Sequence, residues 1–388
     1  MTSTTPDPSA KLGDIAAAAG IRRIHILAWR DLDDPEAGGS ELHIHEVAKR
    51  WAAAGLHVTM RTSYAPGRAP EIMRDGYRVI RRAGRYLIFP RAALSERLGR
   101  HGPSDALVEI WNGVPFLSPL WHRGRRLVLL HHVHGDMFRM VLPPNLGRAG
   151  ELFERRVAPL LYRRSTVATL SSSSKEELVG ILGLHDDRVA IVPPGVHPRY
   201  RVDPTVAKRS RPLVVAVGRL VPVKRHDLLI RAAAEARRVV PDLTLRIIGE
   251  GYERELLETL IDELDAREWV ELAGWVEDDE LARAYQEAWV VASASSREGW
   301  GMTITEAAAC GTPAVVSDIA GHHDAVVPGV SGLLCADDEL GAALARVLSD
   351  RELRDRLADG AVQRAAELTW DATAAHLLEL LAAQRSTS

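Results

Sequence analysis

The chain has 388 residues, 46% hydrophobic and 26% charged, with a formal net charge of −3 at neutral pH. This composition excludes a disordered chain, and the length predicts two domains of ordinary size, each able to bury a core. Cys310 and Cys335 alone make no disulfide framework or cysteine-based zinc site and fit a reducing cytoplasm; no apolar run approaches the roughly 20 residues that cross a bilayer.

Near-neutrality hides an asymmetry. Residues 1–200 hold 28 Lys+Arg against 20 Asp+Glu, and the remainder 21 against 32. A basic first half and an acidic second half predict separate domains with separate partners. Only five of the 49 basic residues are Lys, so part of the arginine abundance is compositional habit. The chain opens on a polar Ser/Thr/Pro stretch with no apolar signal-peptide core, and residues 1–20 are expected to form a disordered tail.

Residues 21–29 read as a first strand, followed by a polar loop, an amphipathic helix opened by Gly39-Ser40-Glu41, and a second strand over 57–61. This β-α-β opening lacks the G-x-G-x-x-G turn of a dinucleotide site. Instead Gly38 and Gly39 sit at a helix start, where backbone N–H groups are placed to meet phosphate; a lone glycine pair is more often a plain turn. Residues 76–100 carry Arg78, Arg81, Arg82, Arg85, Arg91, Arg97 and Arg100, with a helix expected near the end. Strands follow at 105–111 and 127–130, the second running into His131-His132-Val133-His134. No acidic or cysteine cluster completes a metal shell there, and H-H-x-H is not a zinc spacing. Met137 to Pro144 form an apolar loop with one arginine. It reads as a lid or inter-domain contact or, with the arginine cluster, as a docking surface for an anionic membrane or lipid-linked acceptor. A helix over 152–164, strands from 166 and 189, and a linker over 199–211 complete a first domain placed at 1–204.

The pattern restarts in a second domain, placed at 205–370. A strand over 213–217 leads to Gly218-Arg219-Leu220, with Lys224 before a helix from 227. Two cations on a strand-to-helix loop suit a diphosphate leaving group. The next strand ends in Gly249-Glu250-Gly251. An apolar run over 289–294 then reads as a buried strand leading to Ser295-Ser296-Arg297-Glu298-Gly299-Trp300-Gly301-Met302-Thr303-Ile304-Thr305-Glu306. Gly299 and Gly301 remove side chains where a ligand must approach the backbone. Amides near Met302 and Thr303 form a helix N-terminus suited to phosphate. Glu306, expected in that helix's first turn, is placed either to hold a ribose diol or merely to complement the helix dipole.

Two glutamates eight positions apart, in Glu298-Gly299-Trp300-Gly301-Met302-Thr303-Ile304-Thr305-Glu306, resemble the signature of glycosyltransferase family 4, retaining enzymes that use nucleotide sugars. The likeness extends over nearly the whole chain. It implies an α/β fold of GT-B architecture: two Rossmann-like parallel-sheet domains facing across a deep cleft. A helix after Trp370 (371–388) would return to the first domain. It implies that Gly38, Gly39, Arg219, Lys224, Gly249, Gly299, Gly301, Met302, Thr303 and Glu306 bind the donor. Glu298 and a histidine after the 127–130 strand would face the reacting sugar; His132 and His134 both qualify, with His134 favoured. Three positions depart from the pattern: Pro194 where Asn is usual, Arg225-His226 where Gly follows the lysine, and Asp324 for Glu in Gly321-His322-His323-Asp324, to which no role is given. The implied function is metal-independent transfer of a hexose-type sugar from a UDP-, GDP- or similar sugar to a small-molecule, glycan or lipid-linked acceptor. It implies no other cofactor, no nucleic acid, and a cytoplasmic protein with weak peripheral membrane contact left open. A front-face route and a double displacement both stay open. The rivals are a nucleotide-sugar epimerase, a dehydrogenase (disfavoured by the missing glycine turn) and a non-catalytic sugar-nucleotide-binding protein.

Overall fold

The computed structural model describes residues 8–135 and 144–384, Pro144 by its backbone alone. The chain divides into two compact units, Met1–Gly195 with Trp370–Ser388, and Val196–Thr369.

The first unit is built on an eight-stranded sheet: β1 (Arg23–Leu27), β2 (His57–Thr62), β3 (Glu71–Arg74), β4 (Tyr77–Arg81), β5 (Ala106–Trp111), β6 (Arg125–Leu130), β7 (Thr166–Thr169) and β8 (Val189–Ile191). Its order is β3-β4-β2-β1-β5-β6-β7-β8. Every pairing is parallel except β3 with β4. That antiparallel hairpin, absent from the sequence reading, turns on Asp75-Gly76, both at positive φ (45° and 85°), the conformation a two-residue type I′ turn demands. Interior strands such as β5 are buried along their whole length, as expected where both faces of a parallel sheet are covered.

The expected disordered tail is corrected by the structure: Pro8–Ala19 is a helix with Leu12 and Ala16 buried. Proline opens it, where a missing N–H costs nothing. Gly20 closes it at φ 67°, and the Ile21 amide donates to the Ala16 carbonyl at 2.9 Å, the closure of a Schellman motif. Residues 1–7 lie outside the described residues. The last helix, Trp370–Ala382, packs into the same core through Ala374, Ala375, Leu377, Leu378 and Leu381. The Trp51 indole N–H donates to the Ala374 carbonyl at 3.0 Å, and Arg50 pairs with Asp371 at 2.7 Å. The expected return of the chain's end to the first domain is therefore observed.

The second unit carries a six-stranded, wholly parallel sheet of β9 (Leu213–Val217), β10 (Thr244–Ile248), β11 (Val270–Gly274), β12 (Val290–Ser293), β13 (Ala314–Ser317) and β14 (Gly332–Cys335), in the order β11-β10-β9-β12-β13-β14. It begins nine residues before the expected boundary, because residues 196–204 belong with it. The Val196 amide donates to Leu368 O at 2.9 Å, Arg199 pairs with Asp278, and Gln286 donates to Arg201 O at 3.0 Å.

Candidate functional site

In the second sheet β9 leads to β10 and β11 on one side, while β12, β13 and β14 lie on the other. The loops leaving the carboxyl ends of β9 and β12 thus diverge at the topological switch point, where an open α/β sheet leaves a crevice for a ligand. Arg219 and Lys224 leave β9; Glu298, Gly299, Gly301, Met302 and Thr303 leave β12.

The two loops are fastened to each other. Lys224 Nζ donates to Glu298 Oε1, which also accepts the Ser295 hydroxyl at 2.8 Å. The Ser296 amide donates to Val223 O at 2.9 Å. Arg225 Nε donates to Ala294 O at 2.6 Å, and its guanidinium reaches Ser295 O at 3.3 Å and both oxygens of Asp337. Arg225 sits at φ 47°, the left-handed conformation glycine usually supplies, and caps the helix His226–Arg237. That conformation costs a non-glycine residue about 1–2 kcal/mol, offset here by the bonds its side chain makes to the neighbouring loop. The departure from the family pattern at this position therefore has a structural compensation.

Glycines set the approach of these loops. Lys224 lies across Gly218, whose absent Cβ would stand 3.2 Å from Lys224 Cε. A Cβ on Gly249 would fall 2.1 Å from Gly218 O, and one on Gly321 would fall 2.2 Å from Glu298 O. Both glycines are therefore fixed by backbone contact. Gly321, which opens the turn whose Asp324 was given no role, seats the Glu298 backbone.

Gly301 takes φ 92° and caps the helix Met302–Ala309. Among the described residues the Met302 and Thr303 amides have no hydrogen-bond acceptor, and the two residues are half-buried: two donors at a positive helix end. Arg219 is exposed, and its side chain makes no hydrogen bond or ion pair among the described residues.

The two glutamates differ in charge. Burial would raise the Glu298 carboxyl, but the Lys224 ammonium and the bonds from Lys224 and Ser295 hold it below the ordinary carboxylate range. Glu306 stands in the second turn of its helix, not the first, and is buried. Its carboxyl is pushed up to about 8 by burial, against the hydrogen bond donated by Tyr285 at 3.2 Å. Tyr285, from the helix Asp278–Glu287, is itself fully buried against the edge of Tyr200. Dipole compensation does not account for a buried, protonated carboxyl in a second turn.

His322 was also missed. It is fully buried; its Nδ1–H donates to Ser317 O at 2.8 Å, which leaves Nε2 as an acceptor with no partner among the described residues. Burial lowers its pKa, so it stays neutral.

In the first unit, Gly38 caps the helix Gly39–Ala53, and the Gly38 amide donates to Glu41 Oε2 at 2.9 Å. His134 follows β6, its ring stacked on His132 at 4.8 Å between centroids; its amide donates to Glu154 Oε1 at 2.9 Å. The described residues hold no group of three or more His, Cys, Asp or Glu able to bind a metal ion. Of the arginine-rich stretch, Arg81 is buried between Asp31 and Asp33, Arg78 pairs with Glu71 and Arg85 with Glu36. Those charges are partly spent within the unit. Most of the apolar loop read as a docking surface, residues 137–143, lies outside the described residues, and no described helix is long and apolar enough to cross a membrane.

Two family models match: "Glycosyltransferase Family 4" over residues 37–200 and "Glycosyl transferases group 1" over residues 202–364. The D-inositol 3-phosphate glycosyltransferase of Thermobispora bispora is 30% identical over 94% of this chain and 96% of its own length. For the protein of that name from Nocardia farcinica the figures are 35%, 54% and 50%, so the chain spans about half of that relative. The structure of sucrose-phosphate synthase from Thermosynechococcus elongatus superposes with a TM-score of 0.78 at 21% identity, over 91% of this chain and 96% of that one. The fold is that of the GT-B glycosyltransferases.

Proposed function

The chain belongs to glycosyltransferase family 4, and on that premise we propose that it moves a hexose-type sugar from a nucleoside-diphosphate donor to an acceptor hydroxyl, with retention and without a metal ion. The observation that carries the donor site is the joining of the β9 and β12 loops at the switch point by Lys224 and Glu298, beside two unpaired helix amides.

In this reading the diphosphate sits against Arg219, Lys224 and the Met302 and Thr303 amides. Negative charge grows on it as the glycosidic bond breaks, so donors fixed there stabilise the transition state more than the ground state. A diphosphate competes with Glu298 for Lys224, and binding frees that carboxylate to accept the transferred sugar's hydroxyls or to face positive charge at its anomeric carbon. Glu306, held by Tyr285, receives the ribose. By the family resemblance, His134, Gly38 and Gly39 of the first unit are the residues to test there for a part in sugar and phosphate binding. Relatives named for D-inositol 3-phosphate make a phosphorylated inositol the first acceptor to test. Weak peripheral membrane contact through the basic first half remains part of the proposal.

The test is a thermal-shift screen over UDP- and GDP-sugars, because a ligand of the native state raises the melting temperature. Turnover follows with the best donor, and the anomeric configuration of the product is read by NMR. One donor class stabilising the protein and yielding an α-linked product from an α-linked donor supports the reading. Donor conversion without any acceptor would instead favour an epimerase.

A further inference from the structure

We propose that Glu154 is a positioning residue for His134, holding the loop after β6 in the conformation that presents the imidazole; this rests on the reading of His134 given above. Glu154 is completely buried, and its two oxygens accept consecutive amides, His134 N–H at 2.9 Å and Gly135 N–H at 2.8 Å. One carboxylate thus fixes two successive peptide planes. Its Oε1 also lies 4.0 Å from His134 Nδ1, near enough to act on the ring's charge as well as its place.

A distortion of the helix bears on this geometry. The helix Pro144–Leu152 continues through a π-helical segment, Phe153–Val157, into Ala158–Tyr162. Pro159 has no N–H, and its ring clashes with the carbonyl four residues back, that of Arg155, so a regular α-helix is barred there. The wider turn accommodates it, and such turns cluster at functional positions. Within the turn Glu154 is buried, while Arg155, Arg156 and Val157 stay exposed. The far end is pinned independently: Tyr162 O–H donates to the buried Glu109 of β5 at 2.6 Å. Gly135 takes φ 48°, so the loop turns sharply just where the carboxylate grips it. Among the described residues, the charged and titratable groups around His134 are Glu154, the stacked His132, the buried His131 and, beside Gly135, Arg155.

The experiment compares E154Q, H134A and the double variant in the full chain, with the donor identified by the screen. Gln keeps the size but turns one acceptor into a donor against an N–H. The expected result for E154Q is a kcat lower by about 10–100-fold, an unchanged donor KM, and a displaced His134 imidazole resonance in NMR, as the ring leaves the position the two amide bonds set. In H134A the added E154Q change should cost nothing further. Should E154Q not fold, E154D, which keeps the charge but sets its carboxylate one methylene short of the amides, should lower kcat at an unchanged donor KM. A wild-type kcat in the folded variant, or a full additional loss in the H134A background, overturns the proposal. If H134A itself turns over like wild type, the role given to His134 fails, and the positioning role falls with it.

Discussion

Lys224 and Arg219 ask for different consequences on removal. Arg219 is exposed and bonded to nothing described, so R219A should leave stability unchanged. It should lower kcat/KM by about 10²–10³, the usual loss for one fixed donor at a developing charge. An intact rate in R219A would count directly against the donor site. Lys224 neutralises a carboxylate, so K224A should also destabilise the protein, by about 1–3 kcal/mol in denaturant unfolding, since Glu298 loses its charged partner. Glu306 gives a pH signature. Its folded pKa is raised to about 8 from an ordinary 4.5, so between those values the native state holds a proton the unfolded chain has released. Stability must therefore fall as pH rises through that window. Relative to E306Q, the wild type should lose on the order of a few kcal/mol between pH 5 and pH 9, while below pH 4.5 the two should run parallel. Parallel curves throughout would mean that burial does not perturb this carboxyl. The spacing of Glu298 and Glu306 was visible in the sequence; their opposite ionisation was not. It depends on Lys224, 74 residues from Glu298 along the chain, and on the burial of Glu306 in the folded unit.

Among the elements, strands were easiest to read because buried parallel strands are unbroken apolar runs: β9, at residues 213–217, coincides with its expected bounds. The β3–β4 hairpin was lost because Arg74, Arg78 and Arg81 break up its short apolar runs, although Asp75-Gly76 carried the turn signal. The first helix was lost because a short Ala-rich segment after a Ser/Thr/Pro stretch looks polar until Leu12 and Ala16 find a core. Deleting residues 1–20 should accordingly destabilise the first unit by about 2–4 kcal/mol, on the scale of burying one Leu and its neighbours; a disordered tail would leave the midpoint unmoved. At the loops, a methyl group on Gly321 would strike the Glu298 carbonyl. G321A should therefore cut turnover sharply by shifting Glu298, and the same change at exposed, helical Gly180, where a Cβ meets nothing and φ is ordinary, should cost turnover nothing.

For the whole molecule, the duplicated sheet-and-helix pattern and the division near residue 200 were legible from the order of elements, and the returning last helix from the family resemblance. The division fell nine residues early because Val196, Arg199 and Arg201 bond to the second unit, and such long-range bonds leave no periodic trace. The return of Trp370–Ala382 makes the first unit depend on the end of the chain. A chain ending at residue 369 would expose the surface now covered by Leu377, Leu378 and Leu381 and should not give a stable first unit. The central claim, a nucleotide sugar gripped by its diphosphate at the β9–β12 switch point, is tested most directly by calorimetric titration of the nucleoside diphosphate of the preferred donor. The wild type and the R219A/K224A double variant should be compared at equal ionic strength. The account predicts saturable binding to the wild type and a loss of at least about 100-fold in affinity in the folded double variant. Equal affinity for both proteins would contradict it.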